Sequence, residues 1–371
     1  MRESMLEILA CPDCRAKVHL VAGTADGSGE IAEGALECDG CSRRYLIRNG
    51  IPRMLPSDAD GARPDEAART AAHFANEFTA PELVKEDADI SSERDVEYYF
   101  YSRTGVDPDV YERMPGSLYR FDIAESDAYR PDDSFLRGKR VLDAGCGPGR
   151  FTVVAAQTAG HAVGLDFGDH VDRAAQRCRE FPNTDFVQGS ALQPPFAPGT
   201  FDYVFTIGVL HHTPDPRLGC VRLGELVAPG GAMSVWVYPP EYWGDPLRRY
   251  VNRRLHARLS RLPPQDALDI CARWLYPLGR IQTVLASRRW TKVLGAPLFV
   301  LTVPRHPRRE VMISTIYDRF CPPIISTHNY EEVAEWLRDA GFNRLRRLPV
   351  PTAWFAEKRD ERSDDLVPAS P

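Results

Sequence analysis

Three glycines at alternate positions form the pattern in this chain that is most specific for chemistry. Gly145, Gly147 and Gly149 lie in VLDAGCGPGRFT, residues 141–152, after an apolar run typical of a buried parallel strand. Asp143 closes that run, and the apolar spacing after the glycines becomes helical. Such a turn lets backbone approach a ligand closely where a helix begins. By itself this spacing is weak evidence, because it also suits NAD, FAD or no ligand at all.

A second carboxylate strengthens the case for a bound nucleoside. The segment HAVGLD, residues 161–166, predicts a second strand that ends in Asp166, 23 residues after Asp143. A carboxylate at this position can hold the hydroxyls of a ribose. The glycine turn and Asp166 together therefore indicate a ligand site at the ends of two strands.

Four of the nine cysteines form two Cys-x-x-Cys turns near the start of the chain. Each turn presents two thiolates to one metal, and two turns together close a tetrahedral site. Zinc is the favoured ion, with rubredoxin-type iron and a metal-free pair of turns as alternatives. The odd number of cysteines disfavours a disulfide framework. The predicted metal ligands are Cys11, Cys14, Cys38 and Cys41.

Length and composition are those of a globular protein with two or three folded units. The chain has 371 residues, of which 43% are hydrophobic and 26% charged. The net charge of −6 argues mildly against nucleic acid as a default partner. No apolar run reaches the roughly 18–20 residues of a membrane span, and no signal peptide is apparent. We therefore expect a cytoplasmic protein without a membrane span.

The motif order along residues 138–240 resembles that of the class I methyltransferases that use S-adenosylmethionine (SAM). After the glycine turn and Asp166, the chain continues with FVQGSALQPPF (186–196), FDYVFTIGVLHHTPDP (201–216) and LVAPGGAMSVWVY (226–238). The resemblance implies an α/β fold with a Rossmann-like seven-stranded methyltransferase sheet. A dinucleotide-binding protein and a fold that has lost its ligand remain as alternatives.

The same resemblance implies roles for individual residues. The glycine turn would pass beneath the methionine part of SAM, with Asp143 near its amino group, and Asp166 would hold the ribose. His212, where the fourth strand opens toward the donor pocket, is the candidate general base; Tyr238, Tyr317, Asp318 and His328 are weaker candidates. The cofactor-binding residues expected are Asp143, Gly145, Gly147, Gly149, Asp166, Ser190, Ala191, Ile207 and Gly208.

The amino-terminal segment resembles a second family, the small zinc ribbons that activate tRNA, rRNA and release-factor methyltransferases as separate subunits. The resemblance covers residues 5–56 and rests on LEILACPDC at its start and YLIRNGIPRML at its end. It implies a four-cysteine zinc ribbon fused to its methyltransferase. The ribbon could stabilise the enzyme, recruit a partner or touch RNA, and the structural role is favoured.

Composition also predicts a cap and an insertion around the SAM-binding core. Residues 245–310 hold fourteen Lys or Arg against four Asp or Glu, and arginines at helical spacing from Arg248 to Arg261 predict an amphipathic basic helix. A solvated cationic face explains this, as would an anionic small molecule, a membrane surface or RNA. Two roles are possible for the aromatic and basic side chains of the cap: they could form a lid over SAM, or they could simply pack against the edge of the sheet. These residues are Tyr98, Tyr99, Tyr101 and Arg103.

These observations predict six segments. They are a zinc-ribbon domain (1–56), a linker (57–72), a SAM-binding core with an amino-terminal cap (73–240), a basic helical lid insertion (241–312), the carboxy-terminal part of the core (313–358) and a disordered tail (359–371).

The predicted function is transfer of a methyl group from SAM to a small-molecule acceptor, in bacterial secondary metabolism or glycan assembly. An anionic acceptor is left open by the basic insertion. The alternative is an RNA methyltransferase that uses the zinc ribbon to recognise rRNA or tRNA. A non-enzymatic SAM-binding scaffold is disfavoured by the intact glycine turn and carboxylates. The acceptor atom and the oligomeric state cannot be derived from these residues.

Overall fold

The chain folds into two units, each assembled from separate stretches of sequence. The first comprises Met1–Gly61, Glu93–Tyr238 and His328–Pro371, and the second comprises Ala62–Ser92 and Pro239–Thr327. The computed structural model describes residues 1–25, 30–57, 69–70, 72–76, 93–107, 134–240, 246–286, 301, 303 and 309–359. The tail beyond residue 359, most of the predicted linker and the side chain of Tyr98 lie outside the described residues.

A four-stranded antiparallel sheet begins the first unit. After a 3-10 helix (Glu3–Glu7), its strands are β1 (Val18–Ala25), β2 (Ile31–Cys38), β3 (Arg44–Arg48) and β4 (Ile51–Pro52), in the spatial order β1-β2-β3-β4. The two Cys-x-x-Cys turns precede β1 and follow β2. This is the zinc-ribbon arrangement predicted from the cysteine spacing.

A seven-stranded sheet forms the centre of the first unit, in the order β10-β11-β9-β8-β5-β6-β7. Strands β5 to β9 run parallel, and β11 lies antiparallel between β9 and β10. The predicted Rossmann-like methyltransferase sheet is thus confirmed. Its strands are β5 (Arg140–Ala144), β6 (His161–Asp166), β7 (Thr184–Gln188), β8 (Phe201–Ile207), β9 (Val227–Trp236), β10 (Arg344–Arg347) and β11 (Ala353–Glu357).

Helices α1 to α4 and α9 belong to the first unit. The starts of two of them follow from local sequence: Asp215 caps α4 by accepting from the Leu218 amide, and Asn329 and Glu332 form a reciprocal capping box at the start of α9. The helices are α1 (Glu93–Thr104), α2 (Arg150–Ala156), α3 (Val171–Arg177), α4 (Pro216–Glu225) and α9 (Tyr330–Asp339), with 3-10 helices at Ser134–Leu136 and Leu210–His212.

The second unit is helical in its described part and has its own apolar core. It contains α5 (Pro246–Leu259), α6 (Pro264–Ile270), a π-helical turn (Cys271–Leu275), α7 (Tyr276–Ala286) and α8 (Arg309–Phe320). The predicted basic helix is α5. Leu259, Leu268, Ile316 and Phe320 are among the buried residues of the core.

This division differs from the predicted segments in two places. Residues 62–92, predicted as the end of the linker and the start of the core, group with the insertion, and so do residues 313–327, predicted as core. Nonlocal packing is the reason: Ile316 and Phe320 of α8 lie in the second unit's core, and His73 stacks on Tyr317 with ring centroids 4.4 Å apart. Within the described residues, no helix is long and apolar enough to cross a membrane.

Candidate active site and four-cysteine centre

The glycine turn lies at the carboxyl end of β5, where the strand order of the sheet reverses. β5 has β6 on one side and β8 on the other, and ligands of open α/β sheets bind at such a switch point. Gly145, Gly147 and Gly149 have φ angles of +89°, +51° and +81°, which favour glycine. A Cβ on Gly145 would lie 2.2 Å from a methyl carbon of Val209. The turn therefore requires glycine there for space as well as for conformation.

Asp143 supports the turn from inside. Its carboxylate accepts a hydrogen bond of 2.7 Å from the Thr152 hydroxyl of α2 and is buried. Burial raises the pKa of Asp143 to about 7, although the Thr152 hydrogen bond acts in the opposite direction. The side chain thus links β5 to α2; its expected place near the amino group of SAM stays a prediction.

Asp166 ends β6 and is held by a histidine that sequence reasoning missed. Its Oδ1 accepts from the Gly168 amide (2.9 Å) and from Nε2 of His170 (2.8 Å), and its Oδ2 accepts from the Gly147 amide (2.8 Å). Burial raises the pKa of Asp166, but His170 and the two amides outweigh it and hold the pKa below its ordinary value. The ionised carboxylate is an acceptor only, and two oxygens offer more lone pairs than three donors use.

The ends of β7 and β8 complete this edge of the sheet. Ser190 is buried, and its hydroxyl oxygen accepts from the Leu192 amide, so that Ala191 lies in a tight turn beyond β7. Ile207 ends β8, and the Gly208 amide donates to the Trp236 carbonyl at 3.0 Å. The contact of Gly208 with SAM stays a prediction, and because its amide is engaged the carbonyl is the backbone group left for that contact. All the predicted cofactor residues lie at the carboxyl ends of β5 to β8 or in the turns that follow.

Histidines cluster around Tyr238, just beyond β8 and β9. The His211 ring stacks on Tyr238 with centroids 3.7 Å apart, and its Nδ1 accepts from the Tyr238 amide at 3.3 Å. The His212 ring centroid lies 4.2 Å from that of His211, and the His328 amide donates to the Tyr238 carbonyl. Burial, with His212 and His328 nearby, lowers the pKa of His211 well below its ordinary value. His211 is therefore neutral at physiological pH.

Helix α1 brings aromatic rings to the same region. Tyr99 stacks on Phe151 of α2 at 5.6 Å between ring centroids and meets Trp236 edge-on at 5.9 Å. The Arg103 guanidinium lies over the Tyr99 ring at 3.4 Å. Tyr101, in contrast, is buried against Phe100 in an apolar cluster, where it packs as a core residue.

The four predicted cysteines converge in space, with their sulfur atoms all within 4.8 Å of one another. The Sγ atoms of Cys14 and Cys38 are 3.3 Å apart, and those of Cys11 and Cys41 are 3.7 Å apart. A tetrahedral zinc ion with Zn–S bonds of about 2.3 Å places its sulfur ligands about 3.8 Å apart. Burial alone would raise the pKa of Cys38, but hydrogen bonds from the amides of Cys41 and Gly40 outweigh it and lower the pKa to about 7. The donor set therefore fits zinc.

The ribbon is attached to the methyltransferase sheet through backbone hydrogen bonds. The Met54 amide donates to the Gln188 carbonyl at the end of β7 (2.7 Å), and the Ala10 amide donates to the Pro195 carbonyl (3.0 Å). Apolar side chains of both parts share one core, among them Met5, Leu36, Met54, Val187 and Phe196. The loop between β7 and Phe196, which contains Ser190, is thereby held at both ends by the ribbon.

Charged side chains add to this attachment. Arg2 donates to Asp185 through Nε (2.8 Å) and Nη2 (2.6 Å), and the same carboxylate contacts Nε2 of His161. Arg53 donates to both oxygens of Asp172 on α3 at 2.7 and 2.9 Å. No sequence signal predicted these pairs, because each joins residues more than 20 positions apart.

Comparison with known proteins agrees with both parts of this architecture. The family described as "Methyltransferase domain" matches residues 141–231, and the one described as "Trm112p-like protein" matches residues 2–50. An uncharacterized methyltransferase of Synechocystis is 30% identical over 168 residues, which are 42% of this chain and 78% of that protein. The chain therefore belongs to the class I SAM-dependent methyltransferases. It is an enzyme of that class, and its amino-terminal segment is a ribbon of the Trm112-like type.

Two further comparisons have named activities. The demethylmenaquinone methyltransferase of Bacillus licheniformis is 33% identical over 114 residues, 29% of this chain and 49% of that protein. The magnesium protoporphyrin IX methyltransferase of Synechocystis, with bound S-adenosylhomocysteine, aligns over 72% of this chain and 85% of its own, with 17% identity and a TM-score of 0.36. This chain spans about half the length of several curated relatives it matches.

Proposed function

We propose that this enzyme transfers the methyl group of SAM to a small-molecule acceptor at the carboxyl edge of the seven-stranded sheet. The observation that carries the proposal is Asp166, an ionised carboxylate beside a glycine turn at the switch point of the sheet. The demethylmenaquinone methyltransferases among the relatives act on a small molecule, which favours this acceptor class. Secondary metabolism or glycan assembly in a bacterial cytoplasm is the setting we propose.

Different residues at this edge bind different parts of SAM. Asp166 accepts hydrogen bonds from the ribose hydroxyls while His170 and the Gly147 amide keep it oriented. The glycine turn supports the methionine part, and the turn at Ser190 and Ala191 borders the adenine. SAM supplies a methyl group already activated by its sulfonium, so the protein chiefly aligns the acceptor with the S–C bond.

His212 is the general base that we propose for an acceptor that must lose a proton. The His211 ring packs against it and is itself fixed by the Tyr238 amide and ring. Since Nδ1 of His211 accepts that amide, the proton of the neutral ring is on Nε2. We assign His211 the role of a positioning residue and His212 that of accepting the proton.

The four cysteines hold zinc in this proposal, and the zinc acts on the enzyme through structure. The ribbon of about 55 residues buries little apolar surface by itself, so the metal contributes much of its folding energy. Through the Met54–Gln188 and Ala10–Pro195 hydrogen bonds, the folded ribbon fixes the loop that carries Ser190.

An RNA acceptor is the second candidate, favoured by exposed arginines along α5, namely Arg249, Arg253, Arg254 and Arg258. The two candidates differ in their dependence on salt. RNA affinity falls steeply between low and physiological salt, whereas binding of a neutral small molecule changes little.

Titration calorimetry with SAM tests the donor site directly. We expect micromolar binding by the wild type and a loss of about 10- to 100-fold in Asp166→Ala, because a charge-assisted hydrogen-bond acceptor for the ribose is removed. Asp339→Ala, which breaks only an exposed pair with Arg217, is the control and should bind like the wild type. Absence of binding by the zinc-loaded wild type would contradict the proposal.

A further inference from the structure

Arg103 is a buried cation that has no acidic partner among the residues that the structure describes. Only 5% of the residue is exposed. Among the described residues its guanidinium makes one hydrogen bond, from Nη1 to the Ser102 hydroxyl at 3.0 Å, and no ion pair, and its buried Nε has no acceptor. Arginine stays protonated in proteins and carries five N–H donors in a planar fork. Most of this donor capacity is therefore unused.

Aromatic rings compensate for part of this charge. The guanidinium carbon lies 3.4 Å from the centroid of the Tyr99 ring and 4.9 Å from that of Trp236. Cation–π contacts of this kind offset only part of the cost of burying an unpaired charge. A side chain in this state is more stable once an anion reaches its free edge.

The location of Arg103 connects it to the proposed donor site. Tyr99 stacks on Phe151, which follows the glycine turn by two residues. Trp236 ends β9, and its carbonyl accepts from the amide of Gly208 at the end of β8. The guanidinium thus lies between the glycine turn and the ends of β8 and β9, where the reacting ends of donor and acceptor meet in the proposed function.

We propose that the Arg103 guanidinium binds a carboxylate group of a ligand at this site. Its planar fork matches a carboxylate in a bidentate arrangement, and the two rings hold the fork in place. Two ligands could carry that group: SAM itself, through the carboxylate of its methionine part, or an acidic acceptor. The inference rests on the proposed function, because it assumes that SAM binds at this edge of the sheet.

Calorimetry on the zinc-loaded full chain separates these sources. The probes are S-adenosylhomocysteine, which carries the carboxylate, and 5′-methylthioadenosine, which lacks it. Acetate then serves as the probe for an acceptor carboxylate. Its binding to protein saturated with S-adenosylhomocysteine is followed by tryptophan fluorescence. The variants are Arg103→Met, Arg103→Lys and the control Arg347→Met, whose guanidinium lies 3.4 Å over the Tyr330 ring but is exposed on β10.

If Arg103 holds the donor carboxylate, Arg103→Met weakens S-adenosylhomocysteine about 10- to 100-fold, Arg103→Lys weakens it less, and 5′-methylthioadenosine is unaffected. If it holds an acceptor carboxylate, S-adenosylhomocysteine binds normally and only the acetate response disappears. Both results support the proposal, and Arg347→Met should alter neither.

Two outcomes overturn the proposal. In one, Arg103→Met binds S-adenosylhomocysteine and acetate like the wild type, which leaves the proposed methyltransferase function intact. In the other, wild-type protein binds neither nucleoside, and the proposed function fails as well.

The melting temperature of ligand-free Arg103→Met should equal or exceed that of the wild type, because an unpaired buried charge has been removed. A fall of several degrees together with unchanged affinities would instead assign Arg103 a structural role.

Discussion

At the scale of single residues, the glycine turn shows how one missing atom sets the geometry of a site. Gly145 combines a left-handed backbone with a position where a Cβ would overlap Val209. The turn can therefore pack against the segment that follows β8 only while that position lacks a side chain. The contact joins two strand ends that both contribute to the proposed donor site.

We predict that Gly145→Ala destabilises the enzyme by about 2–4 kcal/mol, measured by urea unfolding, through backbone strain and steric overlap together. Gly138→Ala is the matched control. Gly138 also has a positive φ (+72°), yet no atom of the described residues lies within 4 Å of its hypothetical Cβ, so it reports backbone strain alone, about 1 kcal/mol.

Val209→Ala introduced with Gly145→Ala should recover part of the loss. Equal costs at Gly145 and Gly138 would show that the overlap with Val209 is unimportant.

Residues whose roles depend on local spacing could be predicted from the sequence. The glycines, Asp166 and the four cysteines belong to this group, because a turn or strand end of a few residues positions each of them. His170 and Arg103 could not be assigned in this way. His170 owes its role to a loop that returns its ring to Asp166, and Arg103 to rings on α1 and β9 that lie 137 positions apart.

At the scale of elements, β7 is one of the two edge strands of the large sheet, and the ribbon packs along part of it. The chain after β4 pairs with the end of β7 at Arg53 and Gln188, and Arg2 and His161 meet at Asp185 within the strand. Unpaired edges of sheets invite association with other chains. Part of this edge is thus occupied by the enzyme's own amino-terminal segment.

Asp185→Ala should weaken this attachment and lower the free energy of unfolding by about 3 kcal/mol, since it leaves Arg2 without its buried partner. Burial raises the pKa of Asp185, but His161 and Arg2 outweigh it and hold the pKa below its ordinary value. A depressed folded-state pKa gives stability that is present above pH 4 and is lost as the pH falls through the folded-state value.

The wild type should therefore lose more stability than Asp185→Ala on going from pH 6 to pH 3, as measured by denaturant unfolding at each pH. Identical pH profiles would exclude an ionic contribution from this pair. Glu37→Ala, which breaks an ion pair with the exposed Arg44 within the ribbon, is the control and should cost less than about 1 kcal/mol.

At the scale of the whole molecule, the metal centre and the proposed donor site belong to one unit with a continuous apolar core. If the four cysteines hold zinc as proposed, its loss is expected to disturb packing beyond the ribbon. The segments predicted from composition matched the second unit only in part, since α8 joins it through packing that no local pattern reveals.

Removal of zinc with a chelator should lower the melting temperature and weaken SAM binding at least about tenfold, because the loop between β7 and Phe196 loses both of its attachments to the ribbon. Calorimetry and thermal melts before and after chelation provide the measurement. Restoration of both properties by added zinc is the control for irreversible damage. Full SAM affinity in metal-free protein would show that the ribbon does not support the donor site.

The covalent link between ribbon and sheet also sets their stoichiometry. A ribbon joined to its enzyme is present at one copy for each active site. It cannot be shared among several enzymes or withdrawn by dilution. Each newly synthesised chain thus brings its own ribbon and, in the proposed function, must acquire its own zinc ion.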